Sequence, residues 1–244
     1  MLVRLWRTSS AAASLISALG RGLPLPLELL ASHMAEILII RHGETVWNRE
    51  QVFRGRTDIP LSERGRQQAE HVAGALKAAG VEAIYSSPLA RATETAAPLA
   101  ALSGIEVVVD ERLIDMSFGR WEGKARSEIE PAEPELYRIW HESPERFRVP
   151  GGESLSEVLA RAWPAVEDLA QKHASGRAAL VTHRVVCKLL LLAALGAGPD
   201  AFWRLRLDTA SISAIDRTER EWVVTRLNDT HHLRAMPEAL RADF

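Results

Sequence analysis

The sequence predicts a layered α/β fold built on a mixed, mostly parallel sheet, and three observations carry that expectation. Short aliphatic or β-branched runs at 37–40, 82–86, 105–109 and 178–182 read as buried strands. Amphipathic stretches of helical spacing alternate with them, the order that places helices against a sheet. Two later runs, 211–216 and 222–227, are joined by a polar turn near Thr218-Glu219 and read as an antiparallel hairpin.

The elements follow in order. Ser62 is a fitting N-cap for a helix running to about Ala79 and stopped by Gly80, with Val72, Ala75, Leu76 and Ala79 on its apolar face. Ser87-Pro88 opens a second helix, with Pro at the tolerated first position, ending before Gly104. From 110 to 152 the alternation fails, punctuated by Gly119, Gly123, Pro131, Pro134, Pro144 and Pro150. This stretch is expected to be a cap-like insertion, about 115–152, with one helix near 134–141. Its Trp121, Tyr137, Trp140 and Phe147 are read as cap core before they are read as substrate contacts. A long helix over 153–173 follows, despite Pro164, then apolar and short helices over 185–195 and 199–205.

The chain has 244 residues and a formal charge of -2, which gives no electrostatic case for nucleic acid or an anionic membrane. No apolar run approaches the roughly 18 residues of a membrane span. The single cysteine, Cys187, excludes an internal disulfide and fits a reducing compartment, so a cytoplasmic protein is expected. Residues 1–33 are set apart: they carry Arg4, Arg7 and Arg21 with no acid before Glu28. Three readings are open for them: an organelle transit segment, a poor signal peptide, or an extension ahead of a biological start at Met34. The third is favoured, leaving 34–244 as the folded domain.

Chemistry concentrates at strand ends. The run Ile37-Leu38-Ile39-Ile40 breaks into Arg41-His42-Gly43 where a central strand stops, the place where open α/β sheets bind ligands. Arg91 follows the second strand, Asp115 the third, and His183 directly ends the fourth. Singly, each has a plain structural explanation: a solvated Arg, a turn Asp, a satisfied core His. Together they put two guanidiniums, two imidazoles and a carboxylate in one crevice. Guanidiniums match phosphate oxygens, a neutral imidazole is a competent nucleophile, a second His stabilises developing charge, and a carboxylic acid protonates a leaving oxygen. The His spacing and lone Cys do not suggest a metal site, and no Walker-type loop is present, so neither metal nor cofactor is expected.

From Met34 onward the chain resembles the histidine phosphatase superfamily, in the branch that includes cofactor-dependent phosphoglycerate mutases. The resemblance runs through Arg41-His42-Gly43-Glu44-Thr45-Val46-Trp47-Asn48, Gly55, Asp58-Ile59-Pro60-Leu61, Gly65, and Gln68-Ala69. It continues in Ser86-Ser87-Pro88 with Arg91-Ala92, in Asp110-Glu111-Arg112-Leu113 with Trp121-Glu122-Gly123, in Pro150-Gly151-Gly152-Glu153-Ser154 and in Val181-Thr182-His183. It implies a three-layer α/β/α sandwich. It also implies that His42 takes up the phosphoryl group, that Arg41, Arg91 and His183 surround it with Asn48 assisting, and that the carboxylate position donates the proton. Thr182 falls in the same block as His183 and is grouped with the substrate-binding set.

Two positions depart from the family pattern. The acid is ordinarily Glu, and the aligned residue here is the shorter Asp115. The residue after the second His is ordinarily Gly, and here it is Arg184, which either points away or adds a cation for a second anionic group. The mutase pattern around the acid is absent from Ile114-Asp115-Met116-Ser117-Phe118-Gly119-Arg120, which favours a phosphomonoester hydrolase acting on a small metabolite. Mutase-type transfer and a non-catalytic phospholigand-binding protein are the alternatives. Self-association as a homodimer through the apolar segment 185–195 is a weaker reading than a buried helix.

Overall fold

The computed structural model describes residues 35–236. The expectation for 1–33 lies outside the described residues. Six strands form one sheet: β1 (Ala35–Arg41), β2 (Ala83–Ser86), β3 (Val107–Val109), β4 (Arg177–Thr182), β5 (Ile212–Arg217) and β6 (Trp222–Asp229). Their order is β3-β2-β4-β1-β5-β6. The pairs β2–β3, β2–β4 and β1–β4 are parallel, while β1–β5 and β5–β6 are antiparallel, so the sheet is mixed as its terminal hairpin predicted.

Strand β1 is aliphatic from Ile37 to Ile40 because both its faces are covered. Ile37 and Ile39 belong to one buried cluster, Leu38 and Ile40 to the other. The first layer holds α6 (Leu155–Lys172) and α7 (Arg184–Ala194), the second α2 (Glu63–Leu76) and α3 (Ala90–Ser103). The remaining helices are a single turn α1 (Val46–Arg49) and the pair α4 (Arg126–Ala132) and α5 (Pro134–Glu142).

Two helix starts follow their serine caps, and a third departs from the expected position. Ser62 Oγ accepts from Gly65 N at 3.1 Å and Ser154 Oγ from Glu157 N at 3.3 Å. The helix expected to open at Ser87-Pro88 starts instead at Ala90, where Asp58, from the loop ahead of α2, accepts the Ala90 N–H at 2.7 Å. Ser87 is thereby left at the end of β2, free to turn toward the site. A second helix within 115–152, α4, was not legible in the sequence because Pro131 interrupts its pattern.

The aromatic residues of 115–152 are core. Trp121, Trp140 and Phe147 are fully buried. Trp140 packs on Phe147 at 4.6 Å, on Phe118 edge-on at 5.6 Å and on Phe202 at 5.2 Å between ring centres. These rings share one cluster with β1, α6 and α7. In α7, Val185, Val186, Cys187 and the run Leu189–Leu192 are buried inside the chain, so this segment is a core helix. Among the described residues no helix is long and apolar enough to cross a membrane.

The loop after β1 is seated by backbone contact. A Cβ on Gly65 would meet the Glu44 carbonyl oxygen at 2.0 Å, and one on Gly43 would meet the Gly65 oxygen at 2.6 Å. The start of α2 therefore packs against 43–44 without an intervening side chain. Gly65→Ala should destabilise the protein by about 1–3 kcal/mol in urea unfolding through this overlap. A change within about 0.5 kcal/mol would show that the loop shifts freely.

Candidate active site

The carboxyl ends of β1, β2 and β4 lie side by side, and each is prolonged by one backbone bond toward the site. His42 N donates to Thr182 O at 2.9 Å, and Ser87 N donates to Val181 O at 3.0 Å. These bonds carry Arg41-His42, Ser87 and His183 off the sheet together, as expected of a crevice at strand ends.

His42 is 1% exposed, and its Nδ1 lies 2.7 Å from the Gly43 carbonyl oxygen. A carbonyl only accepts, so Nδ1 carries the proton and Nε2 keeps the lone pair. Nε2 is buried and has no hydrogen-bond partner among the described residues. Burial, followed by the charges of Arg91, Arg41 and Arg54, holds the His42 pKa well below the usual imidazole range, so the ring is neutral near pH 7. The ring is anchored from behind, since Gly43 N donates to Thr95 Oγ1 at 2.9 Å.

His183 is fully buried, with its ring centre 5.3 Å from that of His42. Arg91 Nε donates to His183 Nδ1 at 3.2 Å, which places the proton of the neutral ring on Nε2. That N–H faces Ser87 Oγ at 2.7 Å. Burial, then Arg91 and His42, lower its pKa well below normal too. In this state the second imidazole therefore donates to a serine.

The expected residues divide into two sets. Arg91 is buried, but its fork is committed: Nη1 to Thr57 O at 2.9 Å, and Nη2 to Gly55 O at 2.7 Å and to Asp115 Oδ2 at 3.1 Å. It braces the loop and the carboxylate more than it offers an open clamp. Asp115 Oδ1 accepts from Met116 N at 2.9 Å, and its Oδ2 lies 3.8 Å from His183 Nδ1. The shorter acid is thus drawn onto Arg91 beside the second histidine. Thr182, grouped with the ligand contacts, donates its hydroxyl to Leu113 O at 2.6 Å and ties β4 to the Asp115 loop. Asn48 Oδ1 accepts from Thr45 N and Thr45 Oγ1, both at 2.9 Å, so this atom shapes the loop after His42. Arg41 is fully buried, with Nη1 donating to Leu207 O at 2.6 Å. Arg184 is 8% exposed and turned inward, toward Asp115 and Arg41.

Two residues at the site, Arg54 and Arg161, had no distinguishing signal in the sequence, and a third, Ser87, stood in the Ser86-Ser87-Pro88 block without a role of its own. Arg54 is 7% exposed, and the charges of Arg41, Arg184, Arg91 and Asp115 all reach it. Burial first, and then those cations, lower its pKa. Ser87 holds His183. Arg161, on α6, donates through Nη1 to Arg112 O at 2.8 Å and Ile114 O at 2.7 Å, and through Nη2 to Asp115 O at 3.0 Å, fixing the acid loop from below. Burial, with Arg184 next, presses the Arg41 guanidinium down to about 9, still charged at neutral pH. Arg41, Arg54, Arg91 and Arg184 thus converge on a pocket in which Asp115 is the carboxylate they share. A surplus of buried positive charge around a neutral, unpartnered imidazole nitrogen is the electrostatic imprint of a phosphoryl group.

Fold and site together define an enzyme of histidine-type phosphoryl transfer. The profile described as histidine phosphatase superfamily (branch 1) matches residues 37–230. Phosphoserine phosphatase 1 of Hydrogenobacter thermophilus is 36% identical over 200 residues, covering 82% of this chain and 95% of its own. A probable phosphoglycerate mutase of Yersinia enterocolitica is 34% identical over 205 residues, with the same 82% and 95% coverage. Among solved structures, Bacillus stearothermophilus YhfR superposes with a TM-score of 0.78 at 32% identity, covering 82% of this chain and 99% of that one. A phosphoserine phosphatase mutant from Entamoeba histolytica gives 0.74 at 30% identity, covering 82% and 100%. The chain belongs to the histidine phosphatase superfamily and is a phosphatase of that type.

The two buried imidazoles make stability depend on pH. Both are neutral in the folded protein with depressed pKa values, while in the unfolded chain they titrate near about 6.5. Above that value neither state takes up a proton and stability is complete. Below it the unfolded chain binds protons that the native site refuses, and stability falls by up to about 1.4 kcal/mol per pH unit for each ring. Urea unfolding in phosphate-free buffer should show a loss between about pH 6.5 and 5.5, shallower in His42→Gln. An equal slope in the two proteins would show that His42 is protonated in the native state.

Proposed function

We propose that His42 is the nucleophile of a phosphomonoester hydrolase, and that Asp115 moves the proton. The supporting observation is the His42 Nε2 lone pair, buried, unpartnered and facing a cluster of guanidiniums. In the first half-reaction Nε2 bonds to phosphorus and the bond from phosphorus to the ester oxygen breaks. Asp115 passes a proton to the departing alkoxide as that bond breaks. In the second, water attacks phosphorus, Asp115 takes its proton, and the P–N bond breaks to restore neutral His42 and release phosphate. Arg41 and Arg54 stabilise the equatorial oxygens, with the proton on His183 Nε2 turning from Ser87 to the same group. Arg91 and Arg161 are positioning residues: one braces Asp115 and His183, the other the acid loop. Asn48 acts in the same way through Thr45.

The substrate proposed is a small phosphate ester. Several relatives carry names that specify such esters, phosphoserine and glucosyl-3-phosphoglycerate among them. Hydrolysis is favoured over isomerisation because the segment 114–123 lacks the mutase pattern. The compartment proposed is the cytoplasm, in keeping with one buried free cysteine, Cys187. The boundaries proposed are a catalytic domain of 34–244 with its cap over 115–152.

His42→Ala should lower phosphate release by at least about 10³-fold and abolish an acid-labile phosphoenzyme that wild type accumulates on rapid quenching. Equal release by both proteins would remove the phosphohistidine mechanism, and isomerisation of phosphoglycerate without release would reassign the chain as a mutase. Asp115→Asn should slow single-turnover cleavage of an alkyl phosphate by about 10²–10⁴-fold. It should spare p-nitrophenyl phosphate, whose leaving group needs no proton. An equal loss on both esters would demote Asp115 to a positioning residue.

A further inference from the structure

Lys188 lies one helical turn along α7 from Arg184 and is only 3% exposed. The charges that bear on it are those of Arg184 and Arg41, both positive. Its Nζ sits 4.4 Å from the ring centre of Phe202 and 4.5 Å from that of Trp203. The Arg184 guanidinium carbon lies 5.7 Å from the same Trp203 ring. Positions four apart share a helix face, so the two side chains approach one aromatic wall from one side. Arg184 also connects this wall with the phosphoryl site, since it follows His183 and its charge acts on Arg41 and Arg54.

A buried ammonium without a counter-charge is costly, and ring faces compensate it only in part. Burial and the two guanidiniums hold Lys188 down to about 6, so its amine is mostly uncharged at neutral pH until an anion arrives. As a mere filler of an aromatic niche, the position would be served at least as well by methionine. Nothing in the phosphoryl-transfer steps uses this amine.

We propose that Arg184 and Lys188, backed by Trp203, form a second anion subsite beside the phosphoryl site. The substrate is then a small phosphomonoester carrying another anionic group, a carboxylate or a second phosphate. This inference rests on the phosphatase reading above and narrows its substrate class. The guanidinium supplies a permanent charge at the edge of the transfer site, and the lysine gains its proton when the second anion enters.

The test compares full-length wild type, Lys188→Met, Lys188→Arg and Arg184→Gln on three esters. Glycerol 1-phosphate has no second anion, 3-phosphoglycerate carries a carboxylate in place of the hydroxymethyl group, and propane-1,3-diol bisphosphate has a second phosphate. Wild type should favour at least one doubly anionic ester over glycerol 1-phosphate by about tenfold or more in kcat/KM, and which one it favours identifies the second group. Lys188→Met and Arg184→Gln should bring that ratio to within about twofold, chiefly through KM, while Lys188→Arg keeps it. Calorimetric binding of the same esters to full-length His42→Ala reads the subsite without turnover and should show the same discrimination. Absence of preference in wild type, or an unaltered ratio in both Lys188→Met and Arg184→Gln, overturns the subsite while leaving the phosphatase reading intact. If no ester releases phosphate but His42→Ala still discriminates, the phosphatase reading fails and the subsite stands. Should Lys188→Met not fold, Arg184→Gln and Lys188→Arg decide the matter by the same ratio.

Discussion

The chemistry of this protein depends on one hydrogen bond within two adjacent residues. The Gly43 carbonyl holds the proton of His42 on Nδ1, and the lone pair this leaves on Nε2 is what the surrounding guanidiniums act on. The bond is possible because the chain turns immediately after β1, at a residue whose missing side chain lets the Gly65 backbone close in. A strand buried on both faces, a turn without a side chain and a fixed tautomer are one continuous consequence of Ile40-Arg41-His42-Gly43.

Around that nitrogen the protein buries more positive than negative charge. Four guanidiniums that bear on one another share the Asp115 carboxylate, and two imidazoles are kept uncharged among them. Such an arrangement opposes folding, because each cation is removed from water next to others of its sign. It is tolerated because backbone carbonyls take over part of the task of water: Leu207 O for Arg41, and Gly55 O and Thr57 O for Arg91. The repulsion that remains is relieved when a phosphoryl dianion enters. Ligand binding and stabilisation of the fold are therefore the same event at this site.

The sheet, its mixed character and the strand-end positions of Arg41, His42, Arg91, Asp115 and His183 were legible because they follow from periodicity and from abrupt changes in residue type. Less was legible wherever a side chain acts on a backbone group distant in sequence. Thr182 reads as part of a ligand-binding block, yet its hydroxyl goes to Leu113 O, 69 residues away. Arg161 is one of several arginines on exposed-looking helical positions, and nothing local shows that its fork closes on Arg112 O, Ile114 O and Asp115 O. Arg54 looks like any loop cation until the loop folds inward. The start of α3 was misplaced for the same reason, since its cap, Asp58, comes from another loop. Local patterning specifies elements, whereas caps and braces supplied from afar are visible only once the chain has closed.

The backbone contact between 43–44 and the start of α2 also bears on how this site can change. At Gly43 and Gly65 the contact behind His42 is peptide on peptide, so a substitution there adds a Cβ that collides. The α7 side chains Arg184 and Lys188 instead pack on the rings of Trp203 and Phe202, where residue size and charge are adjustable. Tolerance to substitution is thus partitioned in space, low at the glycine contact behind His42 and higher in the aromatic niche beside α7. The scaffold separates what must stay from what can diverge before any selection acts on it.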